Sequence, residues 1–199
     1  MKIIGLTGGS GSGKGMVGRL MSAFGCRVID TDALYHNMIS SSGPCSEALI
    51  ERFGTEISTE NGGICRPKLS SIVFSDRAAL DDLNKIAHAF VREECQRIID
   101  NEQTNGTEVL VIDAPQLFEA GMQDICDMTV AVISDRDKRI RRICNRDRIT
   151  PEKAIARINA QRTDEFFSES CDYVIVNNTD MARLLVRVKT LLDEIKDKR

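Results

Sequence analysis

The feature that most constrains this chain of 199 residues is a glycine-rich stretch near its start. Residues 8–14 read G-G-S-G-S-G-K and fit the pattern G-x-x-x-x-G-K. An apolar run at residues 2–7 precedes the stretch, and a helical pattern at residues 16–24 follows it. Glycines let backbone N–H groups close around phosphate oxygens, and the start of a helix adds favourable partial charge. The stretch therefore predicts a strand, a phosphate-binding loop and a helix.

The predicted loop departs from the pattern at one position. Lys14 is placed to reach the β- and γ-phosphates of a nucleotide. The pattern continues with Ser or Thr as a Mg²⁺ ligand, whereas this chain has Gly15. Water, or a neighbouring hydroxyl of Ser12 or Thr7, would fill that place, or metal-dependent activity would be weakened. The candidate nucleotide-binding residues here are Gly8, Gly9, Ser10, Gly11, Ser12, Gly13, Lys14, Gly15 and Met16.

Short apolar runs separated by helical patterns predict an α/β fold. The runs cover residues 2–7, 26–29, 109–112, 128–133 and 172–176. They indicate a five-stranded parallel sheet with helices on both faces, of the P-loop NTPase type. Helices are predicted at residues 16–24, 76–103, 135–147, from 151, and at 180–197, whereas residues 33–75 are predicted to be less regular. Ligands of such sheets bind beyond the carboxyl ends of the strands.

Acidic residues follow two of the predicted strands. Asp30 and Asp32 come after the second run, and in extended geometry their side chains would point the same way. A carboxylate near a γ-phosphate can take a proton from an attacking hydroxyl or hold metal-bound water. Alternatively, Asp32 only caps the next helix, and Asp30 has a structural role. Asp113 ends the third run, where it would face a metal ion or stand as a turn residue before Pro115.

Positive charge is concentrated in residues 136–162. This segment holds ten basic residues, eight of them arginines, and three acidic ones, so its net charge is +7 against −3 for the whole chain. Arg142 and Arg146 are four residues apart on one helix face. Arginine suits bidentate binding of phosphate. The alternatives are a solvated basic face or an RNA-binding surface, although the segment has no Trp or Tyr for base stacking.

Composition and residue patterns argue against three other classes of protein: those stabilised by zinc or disulfides, membrane proteins and secreted proteins. The seven cysteines form no C-x-x-C pair and only two histidines are present, which disfavours a zinc site or a disulfide framework. No apolar run approaches the roughly 18 residues of a membrane span, and the first apolar stretch is too short for a signal peptide. We therefore expect a cytoplasmic protein with no nucleic-acid or membrane partner, monomeric or weakly homo-oligomeric.

Eight segments together carry a family resemblance. They are IGLTGGSGSGK (4–14), VIDTDALYH (28–36), GPCSEALIERFG (43–54), RPKLSSIVF (66–74), APQLFEAG (114–121), RRICNRD (141–147), NAQ (159–161) and CDYVIVNN (171–178). In this order and spacing, the chain resembles the dephospho-CoA kinase family over nearly its full length. The resemblance implies transfer of the γ-phosphoryl group of ATP, with Mg²⁺, to the ribose 3′-hydroxyl of dephospho-CoA, the last step of coenzyme A synthesis.

The resemblance also implies roles for individual residues. Asp32 would be the general base, Lys14 would act with the loop on the ATP phosphates, and Arg146 and Arg142 would be lid arginines on the same phosphates. Asn177 and Asn178 would lie near adenine, and Mg²⁺ near Asp113 or, through water, near Asp32. The residues that would line or brace the acceptor site are Thr7, Asp32, Arg66, His88, Pro115, Leu117, Phe118 and Glu119.

The implied organisation is a single kinase domain over residues 1–199. Its nucleotide-binding core would be residues 1–31, 107–139 and 166–199. A helical acceptor-binding insertion would cover residues 32–106, and a helical lid residues 140–165. Lid closure would exclude water and suppress ATP hydrolysis.

The chain departs from the family at Gly15, Ala89, Gln116 and Val176. Only Gly15 bears on metal handling. Two other readings stay open: another small-molecule P-loop kinase, and a regulatory module that binds ATP without efficient turnover, which Gly15 favours. A GTPase is disfavoured because the chain has no N-K-x-D motif.

Overall fold

A computed structural model of the chain describes residues 1–197. Its strands form a five-stranded sheet in the order β2-β3-β1-β4-β5. The strands are β1 (Lys2–Thr7), β2 (Arg27–Asp30), β3 (Val109–Asp113), β4 (Met128–Ile133) and β5 (Tyr173–Val176). β1 pairs in parallel with β3 and β4, and β4 with β5. The predicted α/β fold class is confirmed.

Residues 1–197 also form nine α-helices. They are α1 (Lys14–Ala23), α2 (Thr31–Met38), α3 (Pro44–Phe53), α4 (Arg66–Val73), α5 (Arg77–Thr104), α6 (Arg136–Asp147), α7 (Pro151–Asn159), α8 (Asp164–Ser170) and α9 (Met181–Asp197). The helices predicted near residues 16, 76, 135, 151 and 180 each begin within two residues of the prediction. Within the described range, no helix combines the length and the apolar content that crossing a bilayer requires.

The core of the sheet explains why its strands are so apolar. Ile4 and Leu6 of the central strand β1 are fully buried, and they share one cluster with Val17 of α1 and Val188 of α9. Every residue of the neighbouring strand β3 is buried. A parallel sheet covered on both faces leaves no solvated side for polar residues, so its strands read as continuous apolar runs.

The chain divides into two compact units. The sheet unit comprises residues 1–29 and residues from 102 onward, and the helical unit comprises residues 30–101. The helical unit has an apolar core of its own, built from residues such as Ile39, Leu49, Ile57 and Val73. The predicted division into core, insertion and lid concerns roles in binding, and it stays a prediction.

The prediction of a less regular segment at residues 33–75 was wrong, because α3 and α4 and most of α2 lie within it. These helices are only eight to ten residues long. A periodic pattern needs a window of about 11–18 residues to stand out, so helices this short escape it. The local signals were nevertheless present, since Pro44 and Pro67 stand in the first turns of α3 and α4.

The expectation that Asp30 and Asp32 share an extended segment was also wrong. Helix α2 begins at Thr31, so only Asp30 belongs to the strand. Asp30 is the N-cap of α2, where its side chain accepts a hydrogen bond of 3.0 Å from the Ala33 N–H. An acceptor at this position satisfies a helix N–H that has no intrahelical partner. Asp30 is thus structural, and Asp32 lies exposed in the first turn of the helix without being its cap.

Candidate functional site

The glycine-rich stretch forms a loop between the end of β1 and the start of α1. Gly13 is the N-cap of α1 with a φ of 99°, in the left-handed region that favours glycine. A Cβ atom at this position would lie 2.0 Å from Asn177 Nδ2. The first N–H groups of a helix have no intrahelical acceptor, so the start of α1 presents donors suited to phosphate oxygens.

Side chains of the sheet unit hold the carbonyl groups of this loop. Arg142 Nη1 donates to the carbonyl oxygens of Gly11 at 3.1 Å and Ser12 at 3.0 Å. Asn177 Nδ2 donates to the same Ser12 oxygen at 2.7 Å. A peptide group whose carbonyl is held from outside directs its N–H away from that partner. These three hydrogen bonds therefore restrict the conformation of the loop.

Lys14 forms an ion pair with Asp113 at the end of β3. Both side chains are largely buried, at 16% and 9% exposure. Low exposure strengthens such a pair relative to one in open solvent. The ammonium group that the sequence assigns to nucleotide phosphates is thus already held beside a carboxylate.

The residues around Gly15 do not build a resident Mg²⁺ site. Gly15 carries no side-chain oxygen, and the Ser12 hydroxyl is buried without a hydrogen-bond partner among the described residues. The Thr7 hydroxyl donates to the Pro115 carbonyl oxygen at 3.4 Å. Across residues 1–197, no three His, Cys, Asp or Glu side chains are grouped so that they could hold a metal ion.

Space is not the reason for glycine at position 15. A Cβ atom there would have Arg19 Nη1, at 3.9 Å, as its nearest neighbour among the described residues outside the adjoining backbone. The position is helical, where glycine has poor propensity. A serine would therefore fit, and the missing hydroxyl is not imposed by packing.

The two predicted lid arginines differ in what they contact. Besides the loop carbonyls, Arg142 donates to Ser134 Oγ at 3.1 Å and to the Asn177 carbonyl oxygen at 3.0 Å. Both Nη atoms of Arg142 thus donate to groups of the protein itself, which favours a positioning role. Arg146, in the last turn of α6, is exposed and forms two hydrogen bonds to the Asp147 carboxylate, of 2.7 and 2.9 Å. Of these two arginines, Arg146 is the exposed one, whereas Arg142 is half-buried.

Asp147 joins the two helices of the basic segment. Its carboxylate also pairs with Arg157 of α7. Hydrogen bonds from Arg146 and then Arg157 lower the pKa of Asp147 to about 2. Ile143, Ala154 and Ile158 form a small apolar cluster between α6 and α7. The two helices therefore form a hairpin with its own apolar core. Arg146 lies at the end of the hairpin where α6 connects to α7.

The asparagines predicted near adenine are engaged as braces in this structure. Asn177 is buried and bound to Ser12 as described above. Asn178 Oδ1 accepts hydrogen bonds from Ser134 Oγ at 2.9 Å and from the Asp135 N–H at 2.8 Å. These contacts fix the connection between β4 and α6. Neither the adenine contact nor the other ligand contacts predicted from the sequence are tested by the structure, and they stay predictions.

The residues that follow β3 pack against the segment around α8. Leu117 is fully buried, with its Cδ atoms against Gly5, so it braces rather than lines a surface. The Phe118 ring meets the Phe166 ring edge-on at 5.3 Å. Glu119 Oε1 accepts a hydrogen bond of 2.9 Å from Arg162 Nε. Pro115 contributes its carbonyl oxygen to Thr7.

The remaining candidates lie in the helical unit. Asp32 is exposed in the first turn of α2, Arg66 opens α4, and His88 lies within α5. A residue that sequence reasoning missed lies here too. The Tyr35 hydroxyl is buried without a hydrogen-bond partner among the described residues, and burial raises the pKa of Tyr35 to about 12, opposed by the nearby Arg66.

Two further residues at the loop were missed. Arg139 Nε donates to the Ser10 carbonyl oxygen at 3.0 Å, and the Ser10 N–H donates to Gln161 Oε1 at 2.8 Å. Arg139 is 4% exposed, and burial lowers the pKa of its guanidinium. A signal existed, because Arg139 stands four residues before the buried Ile143 and so on the apolar face of α6.

Comparison with known proteins assigns the family. The family model for dephospho-CoA kinase matches residues 2–183. A dephospho-CoA kinase of Carboxydothermus hydrogenoformans is 34% identical over 196 residues, which cover 98% of this chain and 95% of the relative. One from Fusobacterium nucleatum is 35% identical over 193 residues, covering 97% and 98%.

Solved structures share the fold. The crystal structure of a Thermus thermophilus protein matches with a TM-score of 0.79 at 29% identity, covering 97% of both chains. A shikimate kinase from Acinetobacter baumannii matches with a TM-score of 0.54 at 16% identity, covering 100% of this chain and 95% of that one. The latter shows a common fold alone. With relatives above 30% identity along nearly the whole chain, the resemblance inferred from the sequence is confirmed, and this chain belongs to the dephospho-CoA kinase family.

Proposed function

We propose that this chain transfers the γ-phosphoryl group of ATP to the ribose 3′-hydroxyl of dephospho-CoA. The observation that carries the proposal is the braced loop, with Lys14 at its end, in a chain that the family model matches over residues 2–183. Positioning and electrostatic stabilisation supply most of the acceleration in phosphoryl transfer, and a rigid cradle of donors provides both.

Each predicted residue has a role in the proposed reaction. The 3′-hydroxyl oxygen attacks the γ-phosphorus in line, and Asp32 takes the hydroxyl proton. The bond between the γ-phosphorus and the bridging oxygen breaks, and ADP leaves with the electron pair. Lys14 and the loop N–H groups bind the phosphates, and Arg146 stabilises the charge that develops on the transferred group.

Mg²⁺ is proposed as a ligand of ATP and not as a resident ion. Position 15 lacks the side-chain hydroxyl that would hold the ion at the loop. When bound, Mg²⁺ neutralises phosphate charge. Asp113 supplies a carboxylate beside Lys14.

The proposal assigns the binding roles inferred from the sequence. Residues 32–106 would bind the acceptor, residues 140–165 would close as a lid, and the rest would bind ATP. Arg66, His88, Phe118 and Glu119 would contact the acceptor, with Thr7, Pro115 and Leu117 as braces. Asn177 and Asn178 would border adenine.

The proposal also covers the cellular compartment, the macromolecular partners and the oligomeric state of the protein. None of the seven cysteines, all of which lie within residues 1–197, forms a disulfide bond, which suits a reducing compartment such as the cytoplasm. The net charge of −3 offers no general attraction to nucleic acid. A monomer or weak homo-oligomer is proposed, and sedimentation of the purified chain would measure it.

Initial rates of ADP formation test the activity. Mg²⁺-ATP is supplied with dephospho-CoA, with shikimate, with adenosine, or with no acceptor. We expect ADP formation to depend on dephospho-CoA and to yield coenzyme A in equal amount. Turnover with a different acceptor would replace the substrate assignment. ATP binding without any acceptor-dependent turnover would contradict the enzyme assignment and support a regulatory module.

A further inference from the structure

The most unusual side chain near the loop is the buried Arg139. It belongs to the first turn of α6, yet only 4% of it is exposed, whereas Arg136 and Arg141 of the same helix are exposed. Its Nη1 donates to Asp164 Oδ1 at 2.8 Å, and its Nε donates to the Ser10 carbonyl oxygen at 3.0 Å. One guanidinium thus joins the start of α8 to the phosphate loop.

The Ser10 residue is held on both sides. Its carbonyl oxygen accepts from Arg139, and its N–H donates to Gln161 Oε1 at 2.8 Å. Gln161 and Asp164 lie on the short connection between α7 and α8 and at the start of α8. Both peptide groups that flank Ser10 are therefore fixed by residues of the segment 139–164.

Arg139 also explains why position 9 of the loop is a glycine. Its guanidinium lies so close to Gly9 that a Cβ atom there would be 2.3 Å from Nη2. Nη2 itself is buried and has no hydrogen-bond partner among the described residues. Any larger residue at position 9 would push the guanidinium off Ser10.

The stability of the fold does not by itself explain why the Arg139 guanidinium is buried here. A buried guanidinium with an unsatisfied donor is costly, because its lost hydration is only partly replaced. Replacing a buried ion pair by well-packed hydrophobic residues of similar volume is often neutral or stabilising. The benefit of Arg139 must therefore be sought in the geometry that it imposes on the loop.

We propose that Arg139, together with Asp164 and Gln161, is a positioning residue for polyphosphate binding. It holds the Ser10 peptides so that the loop is shaped for a β-phosphate before the nucleotide arrives, and it ties that shape to the segment 139–164. The inference rests on the nucleotide site of the proposed function and is independent of which acceptor is used.

The test compares nucleotides that differ in phosphate number. The dissociation constants of AMP and ADP are measured by calorimetry for the wild type and for the double variant R139Q/D164N. This variant replaces the charged guanidinium and carboxylate by neutral side-chain amides. We expect ADP to bind about tenfold more weakly and AMP within about twofold of wild type. The melting temperature is expected to change by only a few degrees, because the cost of burying the Arg139 charge is removed together with the hydrogen bonds that this side chain makes.

Two further variants sharpen the experiment. R141Q removes the same charge from an exposed position of the same helix and should leave both dissociation constants within about twofold. Q161A removes the acceptor of the Ser10 N–H at an exposed position, so folding is not at risk. It should weaken ADP binding about threefold and leave AMP binding unchanged.

Several results would overturn the inference. The first is unchanged ADP affinity in both Q161A and the double variant. The second is an equal loss of AMP and ADP affinity in the double variant together with a lower melting temperature. The third is a loss of ADP affinity in R141Q as large as that in the double variant. Failure of the proposed function would look different. Wild-type protein would then bind ADP, with the pattern above intact, but would not phosphorylate dephospho-CoA.

Discussion

At the scale of single residues, the chemistry is divided between side chains that are already engaged and side chains that are free to act on a ligand. Arg142, Arg139 and Asn177 are bound to loop carbonyls or their supports. Asp32 is exposed, in the first turn of α2. Residues of the first kind shape the site, and an exposed residue such as Asp32 is proposed to act on the substrate.

Replacing Asp32 by Asn should remove the general base and preserve shape. We expect kcat to fall at least about 100-fold, because a positioned base contributes roughly that much or more. The dissociation constant of ADP should not change. Asp30→Asn is the matched control, because Asn caps a helix as well as Asp does and the activity should persist. Near-normal turnover in Asp32→Asn would refute the assignment of the base.

Gly15→Ser should restore the missing hydroxyl. Space is available at this position, so folding should be intact. We expect ADP binding to require about tenfold less Mg²⁺ for half-saturation, as gain or loss of a metal contact commonly changes affinity by that factor. Gly15→Ala fills the same space without an oxygen and serves as the control. An equal change in both variants would show that helix propensity, and not metal ligation, is responsible.

At the scale of elements, the hairpin of α6 and α7 presents Arg146 beside Asp147. The low pKa of Asp147 means that the carboxylate is charged at every pH above about 2. Because this pKa is depressed on folding, any stability from the pairing is present at neutral pH and is lost only as the pH falls towards 2. The pairing of Arg146 with Asp147 therefore does not change with pH in the physiological range.

Arg146→Ala should reduce kcat more than ATP affinity. We expect at least about a 100-fold loss in kcat, since an arginine acts most strongly on the charge of the transition state. Arg157→Ala is the control, because it also removes a partner of Asp147 but has no predicted contact with phosphate. Unchanged kcat in Arg146→Ala, or equal losses in the two variants, would contradict the role of Arg146.

Some secondary-structure elements could be predicted from the sequence and others could not. The strands and long helices were predictable, since buried parallel strands and amphipathic helices leave strong periodic patterns. The helices α2, α3 and α4 were not, because each is too short to show one. The loop was recognisable from its glycines. Its braces were not, since the contacts of Arg139 and Asn177 with Ser10 and Ser12 join residues far apart in the chain.

At the scale of the whole molecule, the two compact units offer a direct test of the assigned binding roles. Hydrogen exchange is measured on the full chain with ADP alone and with dephospho-CoA alone. ADP should slow exchange in residues 8–16 of the sheet unit. Dephospho-CoA should slow exchange within residues 32–106, because ordering by a ligand protects backbone amides. Protection by dephospho-CoA confined to residues outside that range would remove the acceptor role from the helical unit.

The ion pair between Lys14 and Asp113 has a consequence for the balance of charge at the loop. The Lys14 ammonium has three N–H donors, so a phosphate that binds it either shares it with the Asp113 carboxylate or draws it away. In both cases the negative charge of the nucleotide accumulates beside a carboxylate. A cation that arrives with the nucleotide is then attracted by both.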